Sequence, residues 1–486
     1  VFGSAFNQMR YGVDAVLGRV RPEVLTRISR DLVATLDEFG APGDDSALLP
    51  GQQGAVDPEV RRTMTTRSLR ATARSATRTA YYRQLFEVSG VRPEELTLES
   101  WQQQVPVTPK RALRGMPAAF VSPQSNPVLM ASTTGTTGSP TTVWFSADEL
   151  EIIVALSTVA FGITEGLRPR HVIGHATSSR ATLPLLVVAE STRRIGAALV
   201  QLGTIDPALA LERLAAPLNL PGKSPQITML TGSASYLAAL VAAAERDGWK
   251  AADFGLESIQ VGGEVLTEAL RLRAQEAFGA EVSSAYLMTE IMPVGAAYCT
   301  ERHLHYPAEF GHVELLDPQT LEPAAPGAIA TLVITPYSQY RRCTLLLRYV
   351  TGDLVRVPET APTCEFADIL ASSDVIGRFS GPLSLDVPTR SVLELLESER
   401  AVPLPARYSL VEDRGGPLLH VAVDRATPAL LGRLEDRATL LGLPLAGIVL
   451  HEDVADLPTT VPLRADLREH TFELSARNNT LTGSRT

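Results

Sequence analysis

Residues 132–142 read STTGTTGSPTT. Glycines let a backbone approach an anion and offer it N–H donors, and Ser and Thr hydroxyls add donors without fixed charge, so the run suits the phosphates of a nucleotide. The P-loop of nucleotide hydrolases does not fit. It needs Lys and then Ser or Thr after its last glycine and opens a helix, whereas Gly138 is followed by Ser139 and Pro140. Apolar runs at 127–131 and 141–145 predict that the loop joins strand to strand. For this stretch alone, a plain Ser/Thr/Gly surface turn is the competing account.

Three further stretches offer chemistry. Gly262, Gly263 and Glu264 follow a predicted strand at 258–261, and two glycines there let a flat ring lie on the backbone. Tyr286, Thr289 and Glu290 place an aromatic face, a hydroxyl and a carboxylate within five residues. The run 348–354 (RYVTGDL) holds Asp353 after a Thr-Gly turn, where an acid can accept from both ribose hydroxyls, and Arg378 follows at a distance to cross an anionic group.

In this order the four stretches resemble the adenylate-forming enzyme superfamily, most closely its phenylacetate–coenzyme A ligase branch. The resemblance runs from Tyr81-Tyr82-Arg83 and the 106–110 segment (PVTPK) to near Leu467. It implies an α/β fold: a large N-terminal domain (1–376) of mainly parallel sheets and helices, a small mobile α+β C-terminal lid (377–475), and a disordered tail (476–486). It also implies that ATP and a small, aromatic carboxylic acid form an acyl-adenylate with release of pyrophosphate, after which coenzyme A or a carrier-protein thiol takes the acyl group.

Carried over by motif, Thr133, Thr134, Gly135, Thr136, Thr137 and Gly138 wrap the β- and γ-phosphates. Gly262, Gly263 and Glu264 border the adenine, Tyr286 stacks on it, and Thr289 bonds the α-phosphate. Glu290 holds Mg²⁺, while Asp353 with Arg378 takes the ribose. The acid pocket draws by position on 175–183 and 231–236, with Ile291 closing it. His171, His175 and Tyr236 are its candidate polar contacts, and simple packing is the alternative for each.

The chain departs from the family pattern where cations are concerned. Ser139 stands where the phosphate loop carries lysine, and the lid lysine falls on Leu463 or Arg464, no lysine following Lys250. Arg464 as a substitute has a larger, differently shaped donor fork. Two other functions therefore stay open: activation of nitrite for diazotisation of an aryl amine, and a non-catalytic nucleotide-binding homologue. Some members of the branch hold a structural zinc, and Cys299, His305 and Cys364 are possible ligands. The paired spacing of a zinc motif is missing, so three reduced cysteines, Cys343 included, are the expectation.

The elements that must position these groups are legible as periodicity. Helical spacing at 11–38 and 59–86 predicts an N-terminal helical layer whose arginine-rich face is solvated, and residues 105–110 introduce another short helix. From 171 to 261 strands and helices alternate, which predicts a mainly parallel sheet covered on both faces. Strands at 408–412, 418–423 and 446–451 with a helix at 428–441 form a separate small unit. With 486 residues, 45% of them hydrophobic, two or three domains can be filled. A net charge of −10 without basic runs disfavours nucleic acid and anionic membranes. The start lacks a secretory pattern and no apolar run reaches membrane length, so the expected location is cytoplasmic. The oligomeric state, homodimer included, is not fixed.

Overall fold

Five helices open the described chain: α1 (Pro22–Phe39), α2 (Pro58–Ala76), α3 (Ala80–Ser89), α4 (Leu98–Gln104) and α5 (Lys110–Gly115). Local chemistry sets their starts. Asp57 accepts from the Glu59 N–H, Thr79 from that of Tyr82, and Thr97 and Ser100 exchange bonds in a capping box. The Tyr82 hydroxyl faces inward, 2.7 Å from Thr108 Oγ1, and accepts from the Leu347 N–H at 2.7 Å. That pair of bonds fastens the helical layer to the segment leading into the Tyr349 strand. The computed structural model describes residue 14 and residues 20–39, 57–133, 140–178, 181–364, 366–413 and 415–458.

The expected strand–loop–strand is an antiparallel hairpin, β1 (Pro127–Ser132) and β2 (Thr142–Ser146), paired from Pro127↔Ser146 to Ser132↔Thr142. Helix α6 (Ala147–Ile163) starts at a Ser146/Glu149 capping box. The alternating region follows as β3 (Val172–Ala176), α7 (Thr182–Ile195), β4 (Ala198–Gln201), α8 (Pro207–Ala215), β5 (Met229–Gly232), α9 (Ala234–Asp247) and β6 (Ser258–Gly262). Helix α10 (Glu268–Phe278) leads into β7 (Glu281–Leu287). Strands β4, β3, β5, β6 and β7 lie parallel in that spatial order, and β8 (Gly295–Tyr298), β9 (Leu304–His305) and β13 (Ala371–Ser372) extend the sheet antiparallel beyond β7.

A second sheet, all antiparallel, orders β10 (Gly311–Leu316), β11 (Ile329–Pro336), β12 (Tyr349–Arg356) and β14 (Gly377–Arg378). Arg348, just before β12, has a left-handed backbone at φ 45°, uncommon for a residue with a Cβ. Its guanidinium holds it there. Nε and Nη2 donate to buried Glu314 at 3.1 and 3.0 Å, and Nη1 donates to the Gln102 and Val105 carbonyls at 2.8 and 2.7 Å.

The C-terminal region comprises α11 (Leu383–Asp386), α12 (Thr389–Glu397), β15 (Tyr408–Asp413), β16 (Gly416–Ala422), α13 (Pro428–Leu440) and β17 (Gly447–His451). Its three-stranded sheet packs α12 and α13 over a separate core that includes Leu396, Tyr408, Leu419 and Leu434. Helix α12 also reaches the larger body. Glu394 accepts from the Glu268 and Ala269 N–H groups at 2.9 Å each, capping α10, and Thr267 donates to Glu397. Among the described residues no helix is long and apolar enough to cross a membrane.

Candidate active site

In a parallel sheet the C-terminal strand ends collect on one side, where ligands bind in open α/β folds. Gly262 and the turn after β7 lie there, and β12 and β14 deliver Asp353 and Arg378 to the same place. Asp353 is buried. Its Oδ2 accepts from the Tyr286 hydroxyl at 2.9 Å and its Oδ1 from Arg378 Nε at 2.9 Å, so three residues predicted to share a nucleotide meet in one hydrogen-bonded group. Burial and the Asp353 charge hold the Tyr286 hydroxyl far above its ordinary pKa, keeping it a donor. Its ring lies edge-to-face on Tyr306, centroids 6.3 Å apart.

Glu290 sits in the turn after β7, fully buried, with Ile291 buried beside it and Thr289 half-buried. Its Oε1 accepts from the Tyr349 hydroxyl at 3.2 Å and lies 3.6 Å from Lys110 Nζ, whereas Oε2 is buried with no hydrogen-bond partner. A buried carboxylate oxygen left unpaired is costly and normally needs an explanation. A hard divalent cation is one: Mg²⁺ takes oxygen ligands, so the donor fits the implied ion.

Lys110 is a functional candidate that sequence reasoning missed. Residues 105–110 were expected only to introduce a helix. In the structure Thr108 pairs with the chain next to β12 (Thr108 N–H to Arg348 O, 2.8 Å; Val350 N–H to Thr108 O, 3.0 Å), and α5 starts against Tyr349. Lys110 and Arg114 are four apart and therefore share a helix face. Lys110 faces Glu290, and Arg114 Nε donates to Thr141 Oγ1 at 3.1 Å in the stem of the β1–β2 hairpin. The available signal was the lysine–arginine pair at i, i+4 after a Thr-Pro stop. Lys223, by contrast, spends its ammonium on the Pro169 and Gly196 carbonyls.

The hairpin stem is closed by Thr133 N–H to Thr141 O and Thr141 N–H to Thr133 Oγ1, both 3.0 Å. Thr134, Gly135, Thr136, Thr137, Gly138 and Ser139 at its tip lie outside the described residues, as do Leu463 and Arg464. Gly263 has φ 77°, a turn that suits glycine. Glu264 accepts from Ser235 N–H at 2.7 Å and Ser235 Oγ at 3.0 Å, capping the start of α9. Its carboxylate therefore fastens the glycine turn to a helix.

The expected acid pocket is built differently. His175, buried at the end of β3, has Nδ1 2.7 Å from Thr231 Oγ1 and Nε2 2.6 Å from Thr177 Oγ1, and burial lowers its pKa to about 4, so the ring is neutral. Tyr236 donates to the Ile205 carbonyl at 2.7 Å, which occupies its hydroxyl in packing. His171 lies before β3, at the far end of the strand from the site, accepting at Nδ1 from Arg168 N–H at 2.8 Å. The three cysteines are all reduced, Cys299 and Cys343 buried and Cys364 half-buried. Cys299, His303, His305 and Cys364 bring four donor atoms within 4.8 Å of one another, because β9 pairs with both β8 and β13 and folds distant positions together. Cys343 lies apart, accepting from Ser125 Oγ at 3.3 Å.

A buried carboxylate with a spare oxygen facing a lysine, and an Asp–Tyr–Arg group at parallel strand ends, are the features of an adenylate-forming, AMP-forming ligase. The chain belongs to the AMP-binding enzyme family, whose model matches residues 59–340. It is 26% identical over 361 residues to phenylacetate-coenzyme A ligase of Thermus thermophilus, covering 70% of this chain and 75% of that one. The Escherichia coli phenylacetate-coenzyme A ligase is 26% identical over 359 residues, 70% and 76% of the two chains. Among solved structures, 2-hydroxyisobutyryl-CoA ligase in its postadenylation state superposes with a TM-score of 0.68 over 85% of this chain and 89% of that one, at 18% identity, and so shares its fold.

Proposed function

We propose that the protein activates a small aromatic carboxylic acid with ATP, releasing pyrophosphate, and passes the acyl group to coenzyme A. The observation that carries this is the group of buried Glu290, Asp353 and Tyr286 with half-buried Lys110 and Arg378 at the strand ends. Asp353 takes the ribose hydroxyls and Arg378 and Tyr286 fix its two oxygens. Glu290, whose buried Oε2 has no hydrogen-bond partner, would hold Mg²⁺, which when bound would neutralise charge on the phosphates. Lys110 and Arg114 add the positive charge that Ser139 does not supply.

With ATP aligned, a carboxylate oxygen attacks the α-phosphorus, the P–O bond to pyrophosphate breaks, and the rate gain comes from alignment and charge neutralisation. The thiol of coenzyme A then attacks the acyl carbon, loses its proton, and AMP departs. Residues 377–475 reorient between the two steps as a lid, which requires release of the α10–α12 hydrogen bonds. An aromatic acid is favoured by the relatives named phenylacetate-coenzyme A ligase and by the apolar, buried Ile291 beside Glu290.

The lack of any lysine after Lys250 favours a second reading, ATP-dependent activation of nitrite toward an aryl amine. Exchange of labelled pyrophosphate into ATP separates the two. It is expected with aromatic acids in a mixed panel. Exchange with nitrite alone would establish the second reading, and exchange with nothing would defeat both.

A further inference from the structure

We propose that Glu149 and Arg341 form a buried ion pair that positions the β1–β2 hairpin against the segment leading into β12, and so sets the distance between the phosphate and ribose ends of the bound nucleotide. The proposal rests on the nucleotide reading above.

Glu149 does more than cap its own helix. It is wholly buried in the first turn of α6, and its two oxygens face different parts of the chain. Oε2 accepts from the Ser146 N–H at 2.6 Å and from the Ser146 hydroxyl at 2.8 Å, at the end of β2. Oε1 accepts from the Arg342 and Cys343 N–H groups at 2.7 and 3.0 Å, 193 and 194 residues further along. A capping box needs only the first set. The second set clasps the 341–343 turn to the base of the hairpin.

Arg341 stands beside this clasp and is also wholly buried. Its Nη1 lies 3.8 Å from Glu149 Oε1, its Cζ is 3.7 Å from the centroid of the Phe145 ring, and Nε, Nη1 and Nη2 have no hydrogen-bond partner. Phe145 precedes Ser146 in β2, so the cation rests on the strand end that Glu149 holds. Burial pulls the Arg341 pKa below its ordinary value, and the Glu149 charge is the largest influence the other way. A buried guanidinium without hydrogen bonds is a poor source of stability, since an apolar side chain could pack on Phe145 without the desolvation cost. What the pair supplies is arrangement. Its attraction and its ring contact both weaken if the 341–343 turn shifts against β2.

The same segment continues to the ribose side. Thr344 Oγ1 accepts from the Trp144 N–H at 2.8 Å and donates to the Trp144 carbonyl at 3.1 Å, pairing its side chain with the edge of β2. Around it the Ser122 N–H donates to Cys343 O at 2.8 Å and the Leu345 N–H to Phe120 O at 3.0 Å, and β12 with Asp353 begins at Tyr349. The ribose acid is thus carried by a segment whose start is fastened to the phosphate hairpin.

The test compares ATP with AMP, which lacks the β- and γ-phosphates, by calorimetry on the full-length protein at a temperature where circular dichroism shows each variant folded. Thr344→Val and the paired Glu149→Gln/Arg341→Met are expected to bind ATP about tenfold more weakly and AMP unchanged. Arg341→Met alone leaves a buried carboxylate without its counter-charge and is expected to melt below the paired variant. Where the paired variant does not fold, Thr344→Val, which keeps both charges, carries the affinity comparison. Equal loss of both nucleotides, or loss of neither, overturns the positioning role. Arg341→Met melting no lower than the paired variant overturns the ion pair. Wild type that binds neither nucleotide defeats the nucleotide reading and the proposal with it, a result distinct from any that the variants give.

Discussion

Two polar regions lie at the same end of the parallel sheet and differ in how fully their atoms are paired. Around His175 every ring nitrogen has a hydroxyl, and Tyr236 nearby spends its proton on a backbone carbonyl. Around Glu290 a wholly buried carboxylate keeps an unpaired oxygen, with an ammonium only at ion-pair distance. The first region is complete as folded protein, whereas the second carries charge that folding alone does not satisfy. Residue type does not separate them, since His, Tyr, Glu and Lys are all plausible site residues; unfinished pairing does.

The comparison is broken most forcefully at Glu290. Glu290→Gln is expected to lower kcat about 100- to 1,000-fold with an unchanged melting temperature, because on the proposed reading it removes a charge that acts with nucleotide and metal bound. A fall in stability without loss of turnover would place Glu290 among the packing residues. Asp353→Asn is expected to raise the ATP KM about 10- to 100-fold, the cost of weakening charge-assisted bonds worth roughly 1.5–3 kcal/mol. Lys110→Met is expected to slow turnover about tenfold while leaving acid affinity unchanged, a smaller effect because Arg114 stays on the same helix face.

On the satisfied side the readout is stability. His175 titrates from its ordinary 6.5 down to about 4 when folded. Between those values the unfolded chain takes up a proton that the folded ring refuses, so stability falls as pH drops, by about 3 kcal/mol in all. In His175→Gln that slope should be missing from melts recorded between pH 4 and 7. The smallest effect is expected from Tyr236→Phe, about 1 kcal/mol of stability for one lost hydrogen bond and no change in acid KM. A changed KM would move Tyr236 into the pocket.

Sequence made the candidate site legible where a motif keeps its chemistry in a short run. Tyr286, Asp353 and Arg378 stand on three strands, yet each was recognisable from its neighbours, and the structure unites them. The alternation at 171–261 likewise predicted the parallel sheet. Lys110 was not legible, since its target is 180 residues away and only the Thr108 pairing aims α5 at Glu290. The Cys/His group was named only through the resemblance, on Cys299, His305 and Cys364, and not from spacing. Its spacing belongs to the β8–β9–β13 pairing and has no counterpart along the chain.

The capping of α10 by Glu394 has a consequence for biosynthesis. The N–H groups of Glu268 and Ala269 meet their acceptor 126 and 125 residues later. At ribosomal speeds of about 5–20 residues per second that interval lasts roughly 6–25 seconds. During it the nascent chain carries β6, α10 and β7 with the Glu268 and Ala269 N–H groups lacking that acceptor, while Thr267 already caps the Leu270 N–H. The Glu394 acceptor arrives from the region made after the larger body, and a ribosome stalled near residue 376 would present α10 with only its local Thr267 cap.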